Sequence, residues 1–487
     1  MKQPLNTEGE KIQGPEHVEQ VINEAVAERA DPKTVCQVKH DTNGDVLEKR
    51  LVRKLDLYLL PIPWLMYFFN SLDRNAIVNG KLDGLAEQLH MEGYEYNTCV
   101  AIFFVGYLLG QVPSNMIINR VPPSYFMAGF MTAWSVTTLC TFLVRDYTSM
   151  LVARLILGLA ESPFYPGMIY MFSMFYTRRE IAARMSIFLT GNMAAGAFSG
   201  LISAPIFTGM GGLCGLTGWQ WLFIIQGSLS TAVAIVGFLY LPDSPLKNRW
   251  LTPDERRLAH DRVVNDTTEK HEGTTSVMKG CKEALLDYRA WLFCLAYNLH
   301  ISSHGFRNFL PTVVENLGLD TTTALVLTCP PYFLGAVVSI ALCWSSGHFD
   351  ERTWHITISK AVGIVGYVIC MVTLNTSVRY VGIMLFVGAS YGVNNILLGW
   401  TSSVLGQSDE KKAVAIAMCN MVGSIASIYT PYLWPDSDAP QFITGMAGSI
   451  GFSVGVVICA WLLRDVFLRM NARIRRDNPS VSNFYVY

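Results

Sequence analysis

The feature that most constrains this chain is a succession of apolar stretches, each long enough to cross a lipid bilayer. The run from Trp219 to Leu241 contains no Asp, Glu, Lys, Arg or His. A helix rises 1.5 Å per residue, so about 20 such residues span roughly 30 Å of hydrocarbon. Twelve candidate spans are present. The first six are 56–77, 98–118, 124–144, 149–172, 182–207 and 219–241. The second six are 290–312, 322–344, 354–375, 379–403, 412–433 and 441–464. The expected fold is therefore all-α and polytopic, with twelve transmembrane helices in two six-helix bundles.

Residues 1–48 are polar and lack an apolar core segment, so they read as a disordered cytoplasmic tail with no cleavable signal peptide. The N-terminal bundle then covers 49–241, a charged central loop 242–289, the C-terminal bundle 290–468 and a second cytoplasmic tail 469–487. Composition agrees: 51% of residues are hydrophobic and 15% charged, too little charge to cover a soluble surface of this size. A net charge of −1 gives no reason to expect a nucleic-acid partner. The 11 cysteines are scattered, without a Cys-x-x-Cys pair, and read as small buried apolar residues; no metal site is expected.

Lys and Arg orient the spans. With the N-terminus inside, the inner segments hold Lys49, Arg50, Arg53, Lys54, Arg120, Arg178, Arg179, Arg184, Arg352, Lys411, Lys412, Arg473, Arg475 and Arg476. The outer loops hold Lys81, Arg145 and Arg379. Both termini and the central loop are expected in the cytoplasm.

An ionisable side chain at the centre of a span costs about 2.5–3.5 kcal/mol on insertion scales, so it normally faces a polar cavity and has a task. Span 1 carries Asp73, Arg74 and Asn75. Span 4 carries Arg154 and Glu161, seven residues apart and therefore on one helical face. Asp73, Arg74 and Arg154 also admit a snorkelling reading, whereas Glu161 lies too deep for one. A desolvated carboxylate at that depth is suited to carrying a proton. Span 7 carries His300, His304 and Arg307, spaced as one helical face. The histidines read either as hydrogen-bonded packing residues or, for His304, as part of a charge relay. Arg74-Asn75 and Arg307-Asn308 lie equally deep in spans 1 and 7, as two halves related by a pseudo-twofold would place them. Arginines converging on one cavity favour an anion, because guanidinium binds carboxylate bidentately. Asn394, Asn395 and Trp400 of span 10 either line that cavity or tie helices together. Pro163, Pro166 and Gly167 are expected to break or bend span 4.

The sequence resembles the anion:cation symporter family of the major facilitator superfamily, in its fungal allantoate/nicotinate permease-like branch. The resemblance is carried by Tyr67-Phe-Phe-Asn-Ser-Leu-Asp-Arg-Asn75, Phe103-Phe-Val-Gly-Tyr107, Gln111-Val-Pro-Ser-Asn115 and the stretch from Arg154 to Gly167. Gly218-Trp-Gln-Trp-Leu-Phe-Ile-Ile225, Leu241-Pro-Asp-Ser-Pro245 and Pro431-Tyr-Leu-Trp-Pro435 add to it. It implies a twelve-helix rocker-switch carrier that couples organic-anion uptake to protons. It also implies roles: anion binding for Arg74, proton carriage for Glu161 and Asp73, gating or charge relay for Arg154. The basic loop usual after helix 2 is thin, Arg120 being followed by Val-Pro-Pro-Ser. Arg307, Asn75 and Asn394 as substrate contacts, and His304 in the relay, come from the membrane-cost and depth arguments alone.

No nucleotide-binding loop accompanies these features, so the expected energy source is a proton gradient, with no cofactor and no enzymatic activity. The expected partners are a small organic anion, protons and the bilayer of the plasma membrane. A single copy suffices for such a plan. Export of an organic acid or secondary metabolite is the alternative, and a non-transporting nutrient sensor a more distant one, since both tails are short.

Overall fold

The computed structural model describes residues 47–117, 121–268, 277–405 and 409–477. Most of the expected N-terminal tail, Arg120 and the chain beyond 477 lie outside the described residues. Met1–Tyr58 is one compact unit, whose described part is a helix over residues 47–58. The second unit, Leu59–Tyr487, holds everything that follows.

Twelve helical passes make up its described residues. The first three are α1 (Pro61–Leu82), α2 (Glu95–Ile117) and α3 (Pro123–Cys140). The fourth is split into α4 (Tyr147–Glu161) and α5 (Phe164–Phe175), and α6 (Arg178–Met210) and α7 (Gly218–Tyr240) complete the half. The central segment, expected as a loop, carries two helices, α8 (Pro253–Thr268) and α9 (Val277–Leu286). The seventh pass comprises α10 (Tyr288–Ser303), a 3-10 turn over Gly305–Asn308 and α11 (Leu310–Glu315). The eighth joins α12 (Thr321–Leu327) to α13 (Cys329–His348). Then follow α14 (Thr353–Val372), α15 (Thr376–Val404), α16 (Asp409–Tyr429) and α17 (Ile443–Asp477).

Local chemistry sets these boundaries. Pro61 and Pro63 open α1, where a missing N–H costs nothing, so the first pass begins five residues later than expected. Capping boxes start α6 (Thr177 with Glu180) and α7 (Thr217 with Gln220). Pro163 and Pro166 interrupt the fourth pass directly after Glu161. In the seventh, Pro311 has no N–H to give the Arg307 carbonyl, and α10 stops at Ser303. His300, His304 and Arg307 consequently do not share one helical face as expected: His304 caps α10 and Arg307 sits in the 3-10 turn.

Helix pairing repeats between the halves. In the first, α1 packs on α6 and α7, α2 on α4, and α3 on α7. In the second, α10 packs on α16 and α17, α13 on α15, and α14 on α17, the same scheme six passes later. The halves meet where α2 touches α16 and where α6 touches α12 and α13, again the same pair exchanged. This is the pseudo-twofold that the matched Arg-Asn dipeptides point to. At Gly200 of α6, an added Cβ would overlap the Leu325 carbonyl of α12, so only glycine permits that approach of the two halves.

Below, the near face is the one bearing the central segment and the far face its opposite. Apolar side chains such as Val372, Ile340 and Phe333 are more than half exposed on the outer surface, as a lipid-facing belt requires. Eight of the helices are long and apolar enough on their own to cross a membrane. The first, second, fourth and seventh passes are not among them. The first, fourth and seventh carry Asp73, Arg74, Arg154, Glu161, His300, His304 and Arg307.

Candidate functional site

Three of the four side chains singled out by the cost of burying charge come together in the first half. Arg74 on α1 donates to Glu161 Oε2 through Nε at 3.2 Å and Nη2 at 2.7 Å. Glu161 is the last residue of α4 and is 1% exposed. Its Oε1 has no hydrogen-bond partner. The Arg74 guanidinium also lies 4.9 Å from the Phe103 ring centre and 5.5 Å from that of Tyr107, both on α2. Arg154 approaches the same Phe103 ring at 4.9 Å. Arg154 is 3% exposed, so it does not snorkel, and its Nε and Nη1 are unpartnered. Asp73 points to the other side of α1. It is fully buried, accepts a 2.7 Å hydrogen bond from Ser230 of α7, and leaves Oδ1 unpartnered.

The second half answers with cations. Arg307 Nη2 donates to Asn192 Oδ1 of α6 at 2.9 Å, crossing between the halves. The His304 ring lies 4.7 Å from His300 and 5.3 Å from Tyr391. Both ring nitrogens of His300 lack partners, as does Nε2 of His304. Behind them stands Lys360 of α14, 3% exposed, with Nζ donating to Ser303 Oγ at 2.6 Å. The sequence reading passed over Lys360, although the rule that selects Glu161 also flags a lysine inside an apolar span.

Arg74, Asn75, His304 and Arg307 line one cavity of about 200 Å³ between the halves, together with Phe104, Tyr297, Asn308 and residues of α16 from Asn420 to Ser427. That volume is about seven waters' worth, the scale of a small solute. Asn394 of α15 is not among the lining residues; its Nδ2 donates weakly, at 3.4 Å, to Asn395.

The far side of this cavity is sealed. Lys81, near the end of α1, pairs with Asp436 at 2.6 Å and lies over the Tyr96 ring at 4.3 Å. Tyr96 meets Phe309 edge-on, and Phe309 stacks on Trp434 with centres 6.0 Å apart. Asn97 Nδ2 donates to the carbonyls of Pro431 and Trp434. The buried apolar core shared by the two halves includes Ile77, Tyr96, Phe309 and Trp434. Arg379, expected in a loop, is instead in the first turn of α15, 2% exposed, and ties the carbonyls of Asn316 and Pro440 together.

At the near face Asp287 caps α10. It accepts hydrogen bonds from Arg289 and, at 2.7 Å, from Lys411 of α16. Partial burial pushes this carboxyl up, but the donors outweigh it and hold it at about 2.

Over residues 63–431 the sequence matches the family described as the Major Facilitator Superfamily. The chain belongs to this superfamily. Among its relatives is the MFS-type transporter efuF of Hormonema carpetanum, 30% identical, with 91% of this chain and 94% of the relative aligned. The major facilitator-type transporter hxnP of Emericella nidulans is 29% identical over 88% of this chain and 87% of its own. In fold, the chain is similar to a bacterial homologue of the human lysosomal transporter Spinster in its inward-facing, unoccupied conformation. That match has a TM-score of 0.70 at 14% identity and covers 85% of this chain and 97% of the other. The xylose transporter XylE from E. coli follows with a TM-score of 0.63 at 14% identity, over 84% and 97% of the two chains. This major facilitator protein is thus a multi-pass membrane transporter, not an enzyme, built on the twelve-helix plan expected of its spans.

Proposed function

We propose that this transporter moves a small organic anion together with protons by alternating access. The observation that carries the proposal is the placement of Arg74 and Arg307, one from each half, on a single cavity, with Arg74 already engaged by Glu161. Two guanidiniums present a carboxylate with bidentate donors from both bundles. Glu161 competes with the substrate for Arg74, and that competition makes proton uptake and anion binding interdependent. Protonation of Glu161 releases Arg74. The anion then bridges Arg74 and Arg307, with Asn75 and His304 on the cavity wall. Its charge replaces the one the proton removed, and the bundles rock about the bound ligand. Asp73, hydrogen-bonded only to neutral Ser230 among the described residues, is the second proton acceptor. Arg154, beside the Phe103 ring that Arg74 also uses, serves as relay. With the basic loops inside, the near face is cytoplasmic, both termini lie in the cytoplasm, and the far-sealed state delivers substrate inward at the plasma membrane.

The test is uptake of radiolabelled organic acids by cells expressing the chain, at pH 5 and pH 7.5, with and without a protonophore. The expected result is saturable uptake of at least one acid, faster at pH 5 and abolished by the protonophore. Faster loss of a preloaded acid, without uptake, would replace import by export.

A further inference from the structure

The interior charges of this chain do not balance. Within the membrane-spanning passes, away from their ends, the described residues include four basic side chains, Arg74, Arg154, Arg307 and Lys360, against two acidic ones, Asp73 and Glu161. Only Arg74 and Glu161 form an ion pair. Lys360 is the extreme case. Its ammonium is 3% exposed, and the partner it shows is the neutral hydroxyl of Ser303. Ser303 is held in turn by Tyr367, whose hydroxyl donates to its carbonyl at 2.8 Å. Lys360 and Tyr367 are seven residues apart and point from one face of α14 onto the end of α10, where His304 begins the cavity wall. A cation held in a membrane interior without an acidic partner is costly, and such a charge is retained where a ligand completes it.

We propose that the substrate carries two acidic groups, and that Lys360 is the positioning residue which makes the cavity select a dicarboxylate over a monocarboxylate. This rests on the anion-carrier reading and narrows it. One carboxylate is taken by Arg74 after its release from Glu161. The other is taken by Arg307 at the second half, where Lys360 acts through Ser303 and the end of α10 by raising the local positive potential. A unit charge acting at that remove in a partly polarisable interior alters anion affinity roughly tenfold. A cavity of about 200 Å³ confines the choice to short diacids.

The experiment measures dissociation constants for the purified full-length chain with two matched pairs, succinate against propionate and phthalate against benzoate. Binding is read from the concentration dependence of thermal stabilisation. The expected result is at least tenfold tighter binding of one diacid than of its monoacid partner. Lys360→Met is expected to lower that ratio about tenfold, weakening the diacid more than the monoacid, and Lys360→Arg to retain it. A purely structural role for Lys360 would weaken both members of a pair alike. Wild-type protein that binds monoacids as tightly as diacids would overturn the proposal without touching the anion-carrier reading. Lys360→Met protein that keeps the preference would do the same. Failure of all four acids to bind would overturn this inference, and failure of cells expressing the chain to move any acid of the wider panel would refute the anion-carrier reading as well.

Discussion

Replacing Glu161 by Gln isolates the step on which the proposed proton coupling depends. Gln keeps the shape of the carboxyl and removes its charge, so the variant is fixed in the state that wild type reaches only on protonation. In wild type the pair consists of two charge-assisted hydrogen bonds, at 2.7 and 3.2 Å, to an acid that is 1% exposed. A hydrogen bond to a charged group contributes about 1.5–3 kcal/mol net, and the substrate must displace this before Arg74 can turn to it. Removing the competitor is therefore expected to tighten anion binding about ten- to hundredfold at neutral pH, 1.4 kcal/mol being a factor of ten. It also removes the part of the pH dependence of binding that Glu161 carries. Transport separates into two assays on proteoliposomes. Counterflow, with acid on both sides and no gradient, requires only that the loaded carrier reorient, and Glu161→Gln is expected to retain it. Accumulation driven by an imposed pH gradient requires proton carriage, and it is expected to vanish. Undiminished gradient-driven accumulation by Glu161→Gln would refute the assignment of the proton to this residue. Loss of both activities in a folded protein would make Glu161 part of the substrate site instead.

Three further outcomes follow from the geometry. Gly200→Ala puts a methyl into the Leu325 carbonyl across the halves, and overpacking of this kind costs about 1–3 kcal/mol against the far-sealed state. An impermeant maleimide is then expected to label Thr98→Cys, which lies under Tyr432 at the seal, several-fold faster than in the parent; equal rates would deny that the α6–α12 contact helps close the far side. Lys81→Met breaks a pair whose Asp436 side chain is 54% exposed, so the same labelling rate is expected to rise less than fivefold, and the charge swap Lys81→Asp with Asp436→Lys to restore it. Asp287, held at about 2, contributes stability that is fully present above the ordinary carboxylate range near 4 and is lost only as pH falls through about 2. Thermal melting of Asp287→Asn is accordingly expected to lie below wild type by a constant margin from pH 5 to pH 8, and a gap that closes within that window would contradict the depressed carboxyl.

The site was readable from sequence wherever burial alone identifies it. Asp73, Arg74, Arg154 and Glu161 stand out because charge inside an apolar span is rare, and three of the four do meet around Phe103. What sequence could not supply is direction and distance. Asn394 lies in a largely apolar helix, so nothing in the pattern says which face turns inward, and it is not among the residues that line the cavity. The expected common face of His300, His304 and Arg307 assumed an unbroken helix, which Pro311 does not allow. The Arg307–Asn192 and Lys81–Asp436 contacts join residues 115 and 355 positions apart, beyond any local pattern.

Those two contacts bear on how such a carrier can reverse. Arg74 and Lys81 are seven residues apart on α1, two turns on one face, so the helix that contributes Arg74 to the pair with Glu161 also carries the far seal. The seal is weak contact by contact: a half-exposed ion pair contributes about 0–1 kcal/mol, and each aromatic contact around Phe309 about 0.5–1.5 kcal/mol. Moving a two-state protein from 1:99 to 99:1 takes about 5.5 kcal/mol. Those few contacts sum to about 1–4 kcal/mol, less than that span, which leaves the far-sealed state favoured yet reversible by a ligand. Arg307 supplies the link. Its bond to Asn192 is a tie between the halves, and an anion that takes Arg307 trades that tie for one through the ligand. On the proposed anion-carrier reading, substrate binding weakens a direct contact of the far-sealed state and replaces it with a bridge that either orientation can keep, which is what a carrier needs to cross between them loaded.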